Sequence, residues 1–214
     1  MKLLLFVFCI ITSVSFGQEV KDAKSQGILD KLSVKMKALK SFYVEFSSTT
    51  KNTATGTNTP STGKGWVKDN KFYASYGDNT IVSNGLKQWT IVKEEKTVYV
   101  SNVNAGDSDA INPKKLLTIW ETGFKNKYEK EETLNGEIVH VINLYPKAPA
   151  KADYHTIILY ISKAGNEMKK AILKSKDGTV LTYSLTKFTP NETIDDSKFV
   201  FDIKKYPGYK LVTE

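Results

Sequence analysis

The chain has 214 residues, of which 40% are hydrophobic, and carries 31 basic against 23 acidic side chains for a formal charge of +8. Apart from two histidines every basic residue is a lysine, a solvated point charge without the planar fork that clamps phosphate, which argues against nucleic acid and for a diffuse, solubilising surface with at most transient attraction to anionic membranes. The only cysteine is Cys9, so the chain beyond it holds no disulfide, no thiolate nucleophile and no zinc–sulfur site.

The N-terminus reads as an export signal over residues 1–17. Lys2 supplies the positive start and Leu3 to Ile11 an apolar run. Small residues at Ser15 and Gly17 place cleavage before Gln18. The apolar run is shorter than the roughly 20 residues that a permanent span requires. Cys9 follows Phe8 inside that run, which is the wrong place for lipid attachment. Residues 18–214 are expected to form one domain in the periplasm.

The first structured element is predicted as a helix from Asp22 to Lys40, because Ile28, Leu29, Leu32, Met36 and Leu39 recur on one face with lysines opposite. Phe42 to Ser48 then alternates in strand fashion. The stretch from Lys51 to Lys64 is rich in Thr, Asn, Ser and Gly and contains Pro60, a composition that predicts a mobile loop. Short strands follow at 65–68, 71–76, 80–83, 88–92 and 96–102, separated by Asn70, Gly77-Asp78, Asn84-Gly85 and Glu94-Glu95.

A second, short helix is predicted near Pro113, with Asn112 as its cap and Leu116, Leu117, Ile119 and Trp120 as its apolar side. Strands resume at 125–133, 137–145, 154–162, 167–176 and 179–188, with Asn135-Gly136 and Asp177-Gly178 as hairpin turns. Phe199 to Ile203 is a candidate edge piece, and Tyr206–Val212 wraps back. The expected architecture is mainly β: one long antiparallel meander of about eleven strands, curled into an unclosed barrel beneath two helical lids. A barrel of that width exceeds what its own side chains fill, which predicts a hydrophobic cavity.

No catalytic constellation is present in this pattern. His140 and His155 lie in alternating apolar runs without a ligand-spaced partner, and the carboxylate pairs Glu94-Glu95 and Asp195-Asp196 point to opposite faces of their backbones. The chain is therefore read as a binding protein and not an enzyme. Its aromatic and aliphatic side chains are spread over many elements, among them Phe42, Phe46, Trp66, Phe72, Tyr76, Trp89, Tyr99 and Trp120. Each is an ordinary core candidate, and a subset is expected to line the cavity.

Five stretches, in order, resemble the periplasmic outer-membrane lipoprotein carrier (LolA-type) family. They are Leu32, Met36 and Leu39 leading into Ser41–Phe46; Gly63-Lys64-Gly65-Trp66-Val67-Lys68 with Lys71-Phe72; Ile81–Gly85 with Gln88-Trp89; Lys176-Asp177-Gly178-Thr179; and Phe199-Val200-Phe201 with Pro207–Val212. The resemblance implies an unclosed β-barrel with helical lids. It also implies carriage of acylated lipoproteins, as a monomer without cofactor, from an inner-membrane lipoprotein-releasing transporter to an outer-membrane acceptor. Leu32, Met36, Phe46, Trp66, Phe72, Trp89, Leu116 and Trp120 are then the expected acyl-binding residues. The family often carries a lid-latching arginine directly after the position of Lys68; here that residue is Asp69, and Lys68 or Lys71 is the expected substitute. A sensor or adaptor that uses the same fold to bind a membrane-protein partner is the alternative reading.

Overall fold

The computed structural model describes residues 22–103 and 118–213. The export segment, Asn112, Pro113 and Leu116 lie outside them. The one α-helix among the described residues, α1 (Ala23–Lys37), starts where Asp22 accepts hydrogen bonds from the Lys24 and Ser25 backbone N–H groups at 3.1 Å each. This is the usual role of an aspartate N-cap. Leu29, Leu32 and Met36 are buried along its underside, while Lys31 and Val34 face solvent. Most of the second predicted helix lies outside the described residues; of its stretch, Ile119–Glu121 forms a 3-10 turn. No helix of the described residues is long and apolar enough to cross a membrane.

Among the described residues twelve strands follow the helix. They are β1 (Ser41–Asn52), β2 (Thr57–Lys68), β3 (Lys71–Tyr76), β4 (Asn79–Ser83), β5 (Lys87–Val92), β6 (Thr97–Asn102), β7 (Phe124–Leu134), β8 (Glu137–Pro146), β9 (Tyr154–Ser162), β10 (Met168–Ser175), β11 (Val180–Pro190) and β12 (Lys210–Thr213). They form one unclosed sheet in the order β12-β6-β5-β4-β3-β2-β1-β11-β10-β9-β8-β7. The sheet is two meanders rather than one. β6 and β7 are consecutive in sequence yet sit near opposite ends, and β1 is paired with both β2 and β11. Short turns oblige sequence neighbours to pair, whereas the long connection between Asn102 and Phe124 does not. β12 adds a parallel pair on the outer side of β6.

Two further expectations are corrected. The stretch 51–64 is a hairpin in which β1 runs to Asn52 and pairs with Thr57. Its threonines are good strand formers, and its low hydropathy reflects exposure rather than lack of structure. The Asn52 side chain organises the turn by accepting the Ala54 N–H at 2.9 Å and donating to Thr179 Oγ1 at 2.9 Å on the neighbouring hairpin. Pro60 is tolerated because β2 pairs with β3 only from Gly63 onward. The segment Phe199–Ile203 is no strand. It lies between 3-10 turns at Asp196–Phe199 and Ile203–Lys205, whose backbones are drawn out of sheet pairing by Asp195 and Asp202 capping Ser197 N and Lys204 N at 2.8 and 3.0 Å.

Alternation along the strands gives the sheet two differently covered faces. On one, α1 packs its leucines over Phe42, Val44, Phe72, Ile142, Leu144, Ile157 and Leu159. On the other, Val82, Ile91, Val98 and Val100 are covered by Phe201, Tyr206 and Tyr209 of the C-terminal segment. The helix and the C-terminal segment therefore protect opposite sides of one sheet.

Candidate functional site

The apolar face beneath α1 is the larger of the two cores; Leu29, Leu32 and Met36 seat the helix on it, and polar contacts tie the helix along its edges. Along one flank, Asp22 Oδ2 accepts the Tyr128 N–H at 2.6 Å, Ser25 donates its hydroxyl to Asn126, and Asn126 Nδ2 donates to Gln26 Oε1 at 2.8 Å. Lys24 Nζ sits 3.6 Å above the Tyr128 ring. Farther along the same flank, Trp120 Nε1 donates to Ser33 Oγ at 2.8 Å and Lys37 meets Glu121 at 2.9 Å. Lys35, two residues from both Ser33 and Lys37, projects from the opposite flank because each helical residue turns the side chain by about 100°. There its Nζ reaches Glu167 Oε1 at 2.7 Å and the Gly165 carbonyl at 2.9 Å.

These contacts set the charge states around the helix. Hydrogen bonds from the Tyr128 and Ser25 backbones hold the Asp22 carboxyl below its ordinary value. Lys35 does the same for Glu167, and Lys37 for Glu121. Burial pushes the His140 imidazole down, with Glu131 opposing; its ring lies edge-on to Tyr128 at 5.8 Å between centroids. His155 is exposed and bonded to Thr156.

The Asp22 cap leads to a direct expectation. A carboxylate whose folded pKa is depressed stabilises the fold above its unfolded value, near pH 4, and that contribution is lost as pH falls through the lowered value. Asp22→Ala should cost about 1–2 kcal/mol, through the lost cap and the orphaned Tyr128 N–H. Urea unfolding across pH 2 to 7 checks both statements. The variant's deficit should shrink toward zero at the acid end.

Beneath the helix the packing is closed. One crevice between α1 and the sheet has a volume of about 10 Å³, bounded by Leu32, Lys35, Met36, Asn166, Glu167, Met168, Leu185 and Phe188. That is room for roughly one water. The expected hydrophobic cavity is not shown among the described residues; Leu29, Leu32 and Met36 are packed against the sheet there. A wider groove of about 500 Å³ on the sheet is bordered by polar groups of Glu45, Ser47, Thr62, Lys64 and Thr186 together with Tyr43 and Phe46, a mixed lining to which the expected acyl-binding residue Phe46 contributes.

The expected acyl-binding residues divide between the two faces. Leu32, Met36, Phe72 and Trp120 meet in the core under α1. Phe46 shares their face farther along β1, where its ring lies across Gly63 and pairs with Tyr76 and Tyr183 at 6.0 Å each. A Cβ on Gly63 would overlap that ring. Trp66 and Trp89 are on the opposite face: Trp66 packs against Tyr43 at 4.7 Å under the Lys198 ammonium at 3.7 Å, and Trp89 stacks on Phe201 at 5.4 Å.

Lys68 and Lys71 are also on that second face. They clasp Asp196 at 2.9 and 3.3 Å, and Lys68 donates to the Ile194 carbonyl at 3.0 Å. Their partners thus belong to the C-terminal segment. Asp69 occupies the β2–β3 turn with φ of 54°, and its N–H donates to the Lys40 carbonyl at 2.9 Å. Sequence reasoning missed Lys35, Glu167, Asn126 and Met168. The helical period marks Lys35 as lying beside the apolar stripe, but nothing local connects it to Glu167.

A family model described as outer membrane lipoprotein carrier protein LolA matches residues 37–202. No curated protein matches. Among solved structures, an uncharacterized conserved protein from Thermus thermophilus superposes with a TM-score of 0.59 at 11% identity, over 89% of this chain and 99% of that one. A putative outer membrane lipoprotein-sorting protein domain from Vibrio parahaemolyticus gives 0.44 at 10% identity, over 81% and 94% of the two chains. A LolA superfamily protein from Nitrosomonas europaea gives 0.42 at 13% identity, over 83% and 97%.

Proposed function

The chain belongs to the outer membrane lipoprotein carrier protein LolA family, and we therefore propose that it is a periplasmic carrier that shields the acyl chains of lipoproteins between the inner and the outer membrane. Residues 1–17 are the cleaved export signal in this reading, and residues 18–214 the carrier domain. A lipoprotein-releasing transporter loads it and an outer-membrane acceptor unloads it. Its work is binding and release, with no bond made or broken and no cofactor required.

The observation that supports this best is the nature of the lid. Among the described residues a broad apolar sheet face is covered by α1 with Trp120, and the helix is tied along its edges by hydrogen bonds and ion pairs. Each such contact contributes only about 0.5–1.5 kcal/mol. An acyl chain gains about 0.8 kcal/mol per buried methylene, so a long chain can offset both these pins and the burial of Leu29, Leu32 and Met36 that it replaces. The closed packing is then the unloaded state, and loading rolls α1 away from the sheet along one edge so that hydrocarbon replaces its leucines. Leu32, Met36, Phe46, Phe72 and Trp120 are the residues the chain meets. Trp66 and Trp89 serve instead as the floor on which the C-terminal segment packs.

Mass spectrometry of material co-purified with the native protein from the periplasm tests this directly. Acylated lipoproteins are expected in the bound fraction. A captured protein segment devoid of lipid would indicate a sensor or adaptor on the same scaffold.

A further inference from the structure

The two flanks of α1 are not held alike. The flank facing β7 and the 3-10 turn at Ile119–Glu121 is tied at five helix positions, Asp22, Ser25, Gln26, Ser33 and Lys37. The flank facing the β9–β10 turn is tied by Lys35, through Glu167 and the Gly165 carbonyl. Lys35 and Glu167 side chains keep 35% and 33% of their exposure, so water competes for both ends of that pair. Directly behind it is the crevice of about 10 Å³ between helix and sheet.

The chemistry of that crevice changes with depth. Lys35, Asn166 and Glu167 stand at its mouth, and Leu32, Met36, Met168, Leu185 and Phe188 line it inside. The same apolar residues continue into the main core. Two of them are methionines, unbranched and free to change rotamer, which suits a wall that must part and close again.

We propose that the seam between α1 and the β9–β10 turn, lined by Leu32, Met36, Met168, Leu185 and Phe188, is the portal through which a long acyl chain enters the core, with the Lys35–Glu167 pair as its bolt. The proposal rests on the carrier reading above. The occupant is a single hydrocarbon chain because the lining is apolar and narrow and its charges sit at the mouth. The opposite flank acts as the hinge, since its hydrogen bonds can persist while the helix rolls about them.

Uptake of the fluorescent fatty acid cis-parinaric acid, followed by stopped flow on the full chain, distinguishes the two flanks. Breaking the bolt with Glu167→Gln should raise the uptake rate about 2- to 5-fold, the scale of one partly exposed ion pair. Lys35→Gln, which breaks the same pair from the helix side while leaving the contact of Glu167 with Lys169 at 3.5 Å, should accelerate uptake by a similar factor. Lys37→Gln, which breaks an ion pair of the hinge flank, should leave it unchanged. Equal acceleration by Lys37→Gln and Glu167→Gln, or no acceleration by Glu167→Gln, overturns the portal while leaving lipid carriage standing. Failure of the native protein to take up the probe at all overturns the carrier reading, and the portal with it.

Discussion

Leu32→Asp should undock α1 and abolish acyl-probe binding while the sheet stays folded. Leu32 is 1% exposed at the centre of the helix underside. A carboxylate there would be buried without a partner, at a cost of about 3 kcal/mol or more. The least costly escape is for the helix to leave, since that gives up leucine burial and a few polar pins but none of the ladder between β1 and its two neighbours. Far-ultraviolet circular dichroism should therefore retain its strand signal. Trypsin should cut at Lys31, Lys35 or Lys37 much faster than in the native protein, and Trp120 fluorescence should shift as its bond to Ser33 is lost. Native resistance to trypsin together with undiminished probe binding would show that α1 is not the cover of the site.

Phe42→Ala should produce the largest loss of global stability among these variants, about 3–5 kcal/mol. Phe42 is 1% exposed, begins the strand on which both meanders join, and lies opposite Val67 on one side and Pro190 on the other. Its ring packs 5.6 Å from that of Phe188. Removing it leaves a void that neighbours held in a sheet ladder cannot easily fill. A urea titration should show a lowered midpoint with little change in slope, because the surface exposed on unfolding hardly changes. A loss under about 1 kcal/mol would mean that the core at the β1–β11 junction collapses readily, against the tight packing described here.

Most elements were legible because their signals are local. The predicted spans at 71–76 and 154–162 coincide with β3 and β9, and most other strand bounds shift by a few residues, whereas β2 begins eight residues before its predicted start. Asn135-Gly136 forms its turn with φ values of 49° and 82°, a left-handed pair that asparagine and glycine tolerate best. The failures were also local in cause. The stretch 51–64 looked like a loop because its composition is polar, yet β-branched threonines pair well even where both faces meet water. Phe199–Ile203 looked like a strand because it alternates, but the neighbouring aspartates bend the chain into turns.

The candidate site was legible only in part. Leu32 and Met36 were found because a 3.6-residue period marks a buried face wherever it occurs. Trp66 and Trp89 were grouped with them because aromatic content says nothing about which side of a strand is covered by what. Register decides that: Tyr43 opposes Trp66, and Val82 opposes Trp89, on the face away from α1.

Residue order alone dictates the inventory: a mainly β chain, one amphipathic helix at its start, and turns at recognisable dipeptides. Each of these depends on interactions between residues a few positions apart. It took the assembled fold to join β1 to β11, to set the helix and the C-terminal segment on opposite faces, and to bring Lys35 to a glutamate 132 positions away. Those outcomes follow from how whole elements bury their apolar sides together. A local pattern records that a side is apolar, and long-range packing settles which partner covers it.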